Sequence, residues 1–289
     1  MSDGRHVSIG DTRLYIVERG AAGAFPLLVL HGGPGMDHHV FGDYLDPLTD
    51  EFRLILVDQR AQGLSDRAPA ETWSLRQMAH DVTLLAAALD LPRFAVLGHS
   101  YGAFVVLQNA IDDRGAAAGT IISSGLPSAR YLAEVWTNLD KFEPLALREQ
   151  VRSSWERESG ATTIEQVNAL LRDQLPFQFG DPLDPRIAEY EQRTAGGIPS
   201  PDVLRHFAQA EYGGIEAEAD LAKIMQPVLV IGGRLDRTCV IAGSEAMARD
   251  IPGAEFAVLE HSAHMTFAEE PEAYLAAVRA FLRRVRSPS

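Results

Sequence analysis

The sequence predicts an α/β protein built on a mostly parallel twisted sheet with helices on both faces, interrupted by an inserted helical segment. Three observations carry this expectation. Short apolar runs at 27–30, 54–57, 94–97 and 228–231 have the character of strands buried on both faces. Amphipathic stretches of helical length separate or follow them at 75–89, 101–110, 241–250 and 271–285, the alternation expected of a covered parallel sheet. Between 126 and 219 the strand pattern disappears and charged helical stretches replace it. The expected division is therefore a core of 1–125 and 220–289 with an insertion of 126–219.

In chain order, runs at 6–9 and 13–18 flank Gly10-Asp11, a hairpin signal. The strand at 27–30 leads into His31-Gly32-Gly33-Pro34-Gly35, too rich in glycine and proline for regular structure. The strand at 54–57 ends in Asp58-Gln59-Arg60. Ser74 suits the N-cap of the helix at 75–89, and Pro92 follows its end. The run Phe94–Leu97 then meets Gly98-His99-Ser100-Tyr101-Gly102, after which Ala103, Val106, Leu107 and Ala110 share one helical face. A strand at 119–122 follows. Helices are expected at 131–139, 145–158, 164–174, 185–193 and 201–212, broken by prolines and glycines. The strand at 228–231 ends in Gly232-Gly233-Arg234-Leu235-Asp236, and a strand at 256–259 ends in Glu260-His261-Ser262-Ala263-His264. Pro271 suits the first turn of the last helix.

Composition narrows the function. Hydrophobic residues make up 46% and charged residues 23% of 289, ordinary for a soluble globular protein with a full core. A formal charge of −14 opposes binding to nucleic acid or an anionic membrane and tolerates a positively charged substrate. The single cysteine, Cys239, allows no internal disulfide and no cysteine metal cluster. With no basic-then-apolar leader and no apolar run of spanning length, a cytoplasmic location is expected.

Chemistry concentrates at strand ends. G-x-S-x-G between a strand and a helix places Ser100 on a sharp turn with its hydroxyl exposed. A serine hydroxyl needs a base, and imidazole titrates near neutral pH. The base in turn needs a carboxylate to fix its tautomer. Asp236 and His264 each follow a strand, so the order is Ser100, Asp236, His264, as in the α/β-hydrolase arrangement. His261 competes with His264, but the latter leaves a short lead, Met265 to Glu270, into the last helix. The Tyr101 N–H at the helix start is one oxyanion donor, and the glycine loop supplies the other, assigned to Gly33. No cofactor or metal is required. His38-His39 is expected in an extended surface segment, its rings pointing apart. Asp58 and Arg60 are expected to brace loops, and Trp136, Trp155, Phe177 and Phe179 to pack the insertion.

These motifs resemble the α/β-hydrolase superfamily and, more narrowly, the proline iminopeptidase family of serine peptidases. The resemblance rests on the glycine loop 31–35, Asp58-Gln59-Arg60, the motif 98–102, Gly233-Arg234-Leu235-Asp236 and His264, and it spans about 14–282. It implies the α/β-hydrolase fold with a helical cap at 126–219 that recognises substrate, and Ser100, Asp236 and His264 as catalytic residues. It also implies Gly33 and Tyr101 as oxyanion donors and release of an N-terminal residue, often proline, from a peptide. Cap glutamates then bind the free amine, with Glu211 first and Glu191 and Glu216 behind it. The chain departs from the family pattern at Ala61-Gln62, where glycine usually follows the arginine, at Ala103, and at Arg237. Relatives with such loops also act on small amides, esters and lactones. The implied partner is a small peptide, amide or ester substrate.

Overall fold

The computed structural model of the protein describes residues 4–209 and 211–287, apart from the side chain of Glu211. Eight strands form one sheet: β1 (Arg5–Ser8), β2 (Arg13–Arg19), β3 (Phe25–Leu30), β4 (Phe52–Val57), β5 (Ala95–His99), β6 (Gly119–Ser123), β7 (Val228–Gly233) and β8 (Glu255–Leu259). Their order across the sheet is β1-β2-β4-β3-β5-β6-β7-β8. The β1–β2 hairpin and the β2–β4 pairing are antiparallel; every pairing from β4 to β8 is parallel.

Strand periodicity divides the core in two. Leu28 and Leu30 of β3 face one side, where α1 (Leu75–Ala88) and α2 (Tyr101–Asp112) pack; Leu27 and Val29 face the other. Ser74 caps α1, its side chain accepting from the Gln77 N–H, a contact of about 1 kcal/mol.

Between β6 and β7 lie α3 (Ala133–Asp140), α4 (Leu145–Glu158), α5 (Ile164–Gln178), α6 (Arg186–Arg193), α7 (Pro201–Ala208) and the short turn α8 (Glu211–Gly214). Thr163 and Gln166 form a capping box at the start of α5. That helix runs four residues beyond its expected end and carries Pro176 inside it. The helix expected at 201–212 stops at Ala208, and Tyr212 and Gly213 adopt left-handed backbone. After β7 come α9 (Ile241–Asp250), then, after β8, α10 (Thr266–Glu269) and α11 (Pro271–Val285). Tyr274, Val278, Phe281 and Leu282 of α11 are buried in the second core. Among the described residues no helix is long and apolar enough to cross a membrane.

The parallel strands point their carboxyl ends the same way, and ligands bind at that edge of such sheets. His31, Asp58, Ser100, Asp236 and His264 all follow strands there.

Candidate active site

The turn between β5 and α2 leaves no room for side chains at its glycines. A Cβ on Gly98 would lie 2.0 Å from the Gly102 carbonyl oxygen, and one on Gly102 would lie 2.3 Å from the Leu30 carbonyl oxygen. Backbone cannot yield such distances cheaply. Gly98→Ala is expected to cost at least about 3 kcal/mol, lowering the thermal midpoint by roughly 6 °C or more, measurable by calorimetry. Ser100 between them has φ 56 and ψ −118, a sparsely populated region costing about 1–3 kcal/mol for a non-glycine residue. Its N–H donates to the Ser123 carbonyl at 2.9 Å, which anchors the turn to β6.

Two loops complete the arrangement. His264 Nε2 lies 3.0 Å from Ser100 Oγ, and its Nδ1 lies 2.8 Å from Asp236 Oδ2. The remaining oxygen of Asp236 accepts the Thr238 and Cys239 N–H groups, each at 2.8 Å. The main chain of His264 is pinned at both ends: its N–H donates to the Gln178 carbonyl at 2.9 Å, and its carbonyl accepts the Ser124 hydroxyl at 3.0 Å. The His99 ring lies beside it, tilted by 48°, with ring centroids 5.0 Å apart. Burial, with the neighbouring His264, holds His99 well below the usual imidazole range. Such a chain can draw a proton from Ser100 and stabilise the imidazolium that forms.

The glycine loop presses against the serine. A Cβ on Gly32 would lie 3.0 Å from Ser100 Cβ, and Gly33 has φ +116. Among the described residues no backbone hydrogen bond engages the Gly33 or the Tyr101 N–H. Both are free to donate. The departure from the family pattern at Ala61-Gln62 sits against this loop. Ala61 takes a left-handed conformation, φ 62, that glycine adopts without strain. Gln62 Oε1 accepts the Gly35 N–H at 2.6 Å, fixing the loop. Asp58 accepts the His38 and Leu64 N–H groups, while buried Arg60 is paired with Asp81 and Asp11.

The expected extended segment at His38-His39 is instead a 3-10 turn, His38–Phe41, and the two rings lie 4.2 Å apart. Buried Asp37 curls the segment by accepting the His39 N–H at 3.0 Å. His38 Nδ1 faces Asp58 at 2.7 Å and His39 Nδ1 faces Asp37 at 2.9 Å. The hydrogen bond to Asp37 raises the His39 pKa against the effect of burial. Asp37, His38 and His39 offer ligand atoms within 4.8 Å of one another. Both Asp37 oxygens are already engaged, one also accepting the Ile198 N–H at 2.7 Å.

A cavity of about 1100 Å³ opens over Ser100 and His264. Its wall includes Phe104, Trp136, Trp155 and Leu171, and it also carries Glu156, Glu158 and Glu191. The implied amine-binding glutamates divide three ways. Glu191 lines the cavity. The side chain of Glu211 lies outside the described residues. Glu216 is misplaced for the role: it is exposed, its carboxylate accepts the Ser128 hydroxyl at 3.1 Å, and it lies outside the cavity wall. Sequence reasoning missed Glu158, which is 8% exposed and accepts the Tyr212 hydroxyl at 2.8 Å. Burial pushes its carboxyl up, only partly offset by Tyr212 and Gln174. Its signal was absent because it is one of several glutamates on an amphipathic helix. Trp136 and Trp155 line the cavity, whereas Phe177 and Phe179 are wholly buried. Cys239 also lines it; burial pushes its thiol well up, leaving it a poor nucleophile.

A second buried carboxylate, Glu269, lies behind the site. It is 3% exposed, and burial raises its pKa to about 7 against the Gly180 and Ala263 N–H donors and Arg186. The folded state thus binds this proton more tightly than the unfolded chain, with its ordinary 4.5. Stability contributed by that proton is complete below pH 4.5 and is lost as pH rises through about 7. Across that interval the protein should lose up to about 3 kcal/mol relative to Glu269→Gln, as measured by urea unfolding.

The sequence profile of the alpha/beta hydrolase fold family matches residues 26–271. A proline iminopeptidase of Heyndrickxia coagulans is 29% identical over 273 residues, covering 91% of this chain and 92% of that protein. A Pseudomonas syringae pv. syringae (strain B728a) protein provisionally named carbamate hydrolase RutD is 27% identical, covering 89% and 93%. In three dimensions the chain is similar to an alpha/beta fold family hydrolase from Bacillus anthracis str. Sterne, with TM-score 0.80 and 20% identity over 97% of this chain and 99% of that one.

Proposed function

The chain belongs to the α/β-hydrolase fold family, and from that membership we propose that it is a serine hydrolase with Ser100 as nucleophile, His264 as base and Asp236 as its orienting carboxylate. The observation that carries this reading is the continuous chain Asp236–His264–Ser100, with contacts of 2.8 and 3.0 Å. Ser100 Oγ attacks the substrate carbonyl while His264 Nε2 takes its proton. The Tyr101 and Gly33 N–H groups receive the oxyanion. His264 returns the proton to the leaving group, and the acyl-Ser100 ester is then hydrolysed by water that His264 deprotonates.

The substrate in this reading is a peptide or related amide with a free amino end, cleaved to release the N-terminal residue. Residues 126–219 act as the cap that selects it. Two features support the choice: the resemblance to proline iminopeptidases and the buried Glu158 carboxylate in the cavity, which has no cationic partner among the described residues. An ammonium would supply one. Glu158→Gln keeps the Tyr212 hydrogen bond but loses the charge. It should raise KM for aminoacyl arylamides by about 10-fold or more, the scale of a charged hydrogen bond, and leave p-nitrophenyl esters within about twofold.

The apolar wall of Phe104, Leu132, Val135, Trp136 and Leu171 favours a second reading, a hydrolase of small esters or lactones. Comparing kcat/KM across aminoacyl arylamides, prolyl included, and short p-nitrophenyl esters separates the two. Preference for prolyl arylamide supports the first reading; turnover of esters alone overturns it in favour of the second.

A further inference from the structure

We propose that Arg237 and Glu269 are positioning residues that tie the end of α5 to both loops carrying Asp236 and His264, so that the wall of the cavity and the alignment of the base are mechanically one unit. The inference rests on the serine-hydrolase reading of Ser100.

The last carbonyls of a helix have no intrahelical donors. At the end of α5 two of these orphans, on Phe177 and Gln178, and the two carbonyls that follow the helix are taken by the active-site loops. Arg237, adjacent to Asp236, donates to the Phe177 carbonyl at 3.3 Å, the Phe179 carbonyl at 2.7 Å and the Gly180 carbonyl at 2.8 Å. Its guanidinium also lies over the Phe142 ring, 5.1 Å from the centroid. A cation at a helix C-terminus is favoured by the helix dipole. The Gln178 carbonyl accepts the His264 N–H at 2.9 Å. The Gly180 N–H donates to one oxygen of Glu269 at 2.7 Å, and the other oxygen accepts the Ala263 N–H, next to His264, at 2.8 Å. Four successive carbonyls and one N–H of residues 177–180 are thus committed to the acid and base loops. Space enforces the same junction: a Cβ on Gly180 would meet Leu235 at 3.1 Å and Glu269 at 3.3 Å.

The other end of the coupling is the cavity. Val167, Asn168, Leu171, Gln174, Leu175 and Gln178 of α5 line it. A substrate that fills the cavity therefore bears on the helix whose C-terminus holds His264. Arg237 occupies the position where the sequence put a positive charge beside the site, but it turns away from substrate and works through the backbone.

Removing either tie lets His264 drift relative to Ser100, and displacements near 1 Å cost up to about 100-fold in rate. The test measures second-order inactivation by a small fluorophosphonate, which needs Ser100 and His264 but little of the cavity. Parent, Arg237→Ala, Arg237→Lys, Glu269→Gln and the double variant Arg237→Ala/Glu269→Gln are compared, alongside kcat and KM on the best substrate. Arg234→Ala serves as a control, since Arg234 is on the same loop but pairs with Glu245 and Glu260 at the surface. Circular dichroism and thermal midpoints confirm folding at the assay temperature.

The expected result is a fall of about 10- to 100-fold in inactivation rate and kcat for Arg237→Ala and Glu269→Gln, with KM within about threefold. Arg237→Lys should recover part of the loss. The double variant should be no slower than the slower single variant, because both act through one junction; independent defects would multiply. Folded single variants that react at the parent rate, or a double variant whose losses multiply, would overturn the proposal. If Arg237→Ala does not fold, Arg237→Lys and Glu269→Gln carry the same test. An unreactive parent overturns the serine-hydrolase reading itself.

Discussion

Replacing Ser100 by alanine is expected to lower kcat by roughly 10⁴- to 10⁶-fold, the loss typical of a covalent nucleophile, with little effect on folding. Alanine removes the oxygen that would form the acyl bond and leaves the rest of the site in place. The Tyr101 and Gly33 N–H groups can still polarise a bound carbonyl, so a residual rate above that in water should persist. The structural cost is small. Among the described residues the side-chain hydrogen bond of Ser100 Oγ is to His264, at 3.0 Å, and one hydrogen bond of this kind is worth about 1 kcal/mol. Alanine inherits the left-handed backbone of φ 56 without relief. Steady-state rates with the best substrate, paired with a thermal melt, check both parts. A variant that retains more than about a tenth of parent kcat would exclude Ser100 as nucleophile.

Asp236→Asn is expected to lower kcat by about 10⁴-fold, and the reason lies in the unused side of the carboxylate. Asp236 Oδ1 accepts two backbone N–H groups, from Thr238 and Cys239. An asparagine must keep its oxygen there, because its amide nitrogen would face two donors. The NH₂ group is then forced toward His264 Nδ1. That nitrogen becomes the acceptor, and the proton moves to Nε2, which faces Ser100. An imidazole with its proton on that side cannot take another from the serine. The loss should appear in kcat and in fluorophosphonate reactivity at neutral pH and should shrink at alkaline pH, where hydroxide deprotonates the serine without the base. Equal losses at pH 7 and pH 10 would contradict the tautomer argument.

Much of this site was legible because it depends on local rules. Buried parallel strands need continuous apolar runs, and G-x-S-x-G between one such strand and a helix admits few geometries. That Asp236 and His264 would meet Ser100 was legible because strand ends collect at one edge of a parallel sheet. The His38-His39 segment was misread on two counts: the adjacent Asp37 caps its turn, a local signal that was passed over, and Asp58, twenty residues on, holds His38. Asp58 and Asp37 capture its N–H groups and rings, and neither contact leaves a periodicity in sequence. The choice of Glu216 failed for a related reason. Glu216 lies in the connection between Gly214 and Glu218, bridged to Ser128, and no local pattern says whether a residue there faces a cavity or a neighbouring serine. Glu158 could be recognised only once Tyr212 was seen to reach it. The helix expected at 164–174 continues to Gln178, because the loops of Arg237 and His264 supply donors to the Phe177 and Gln178 carbonyls.

The most direct measurement is intact-protein mass spectrometry after treatment with a fluorophosphonate, followed by peptide mapping. The account predicts one adduct per chain, on Ser100, formed rapidly by the parent and at least about 100-fold more slowly by His264→Ala. An adduct on any other residue, or no adduct on folded parent protein under conditions that label a known serine hydrolase, would contradict it.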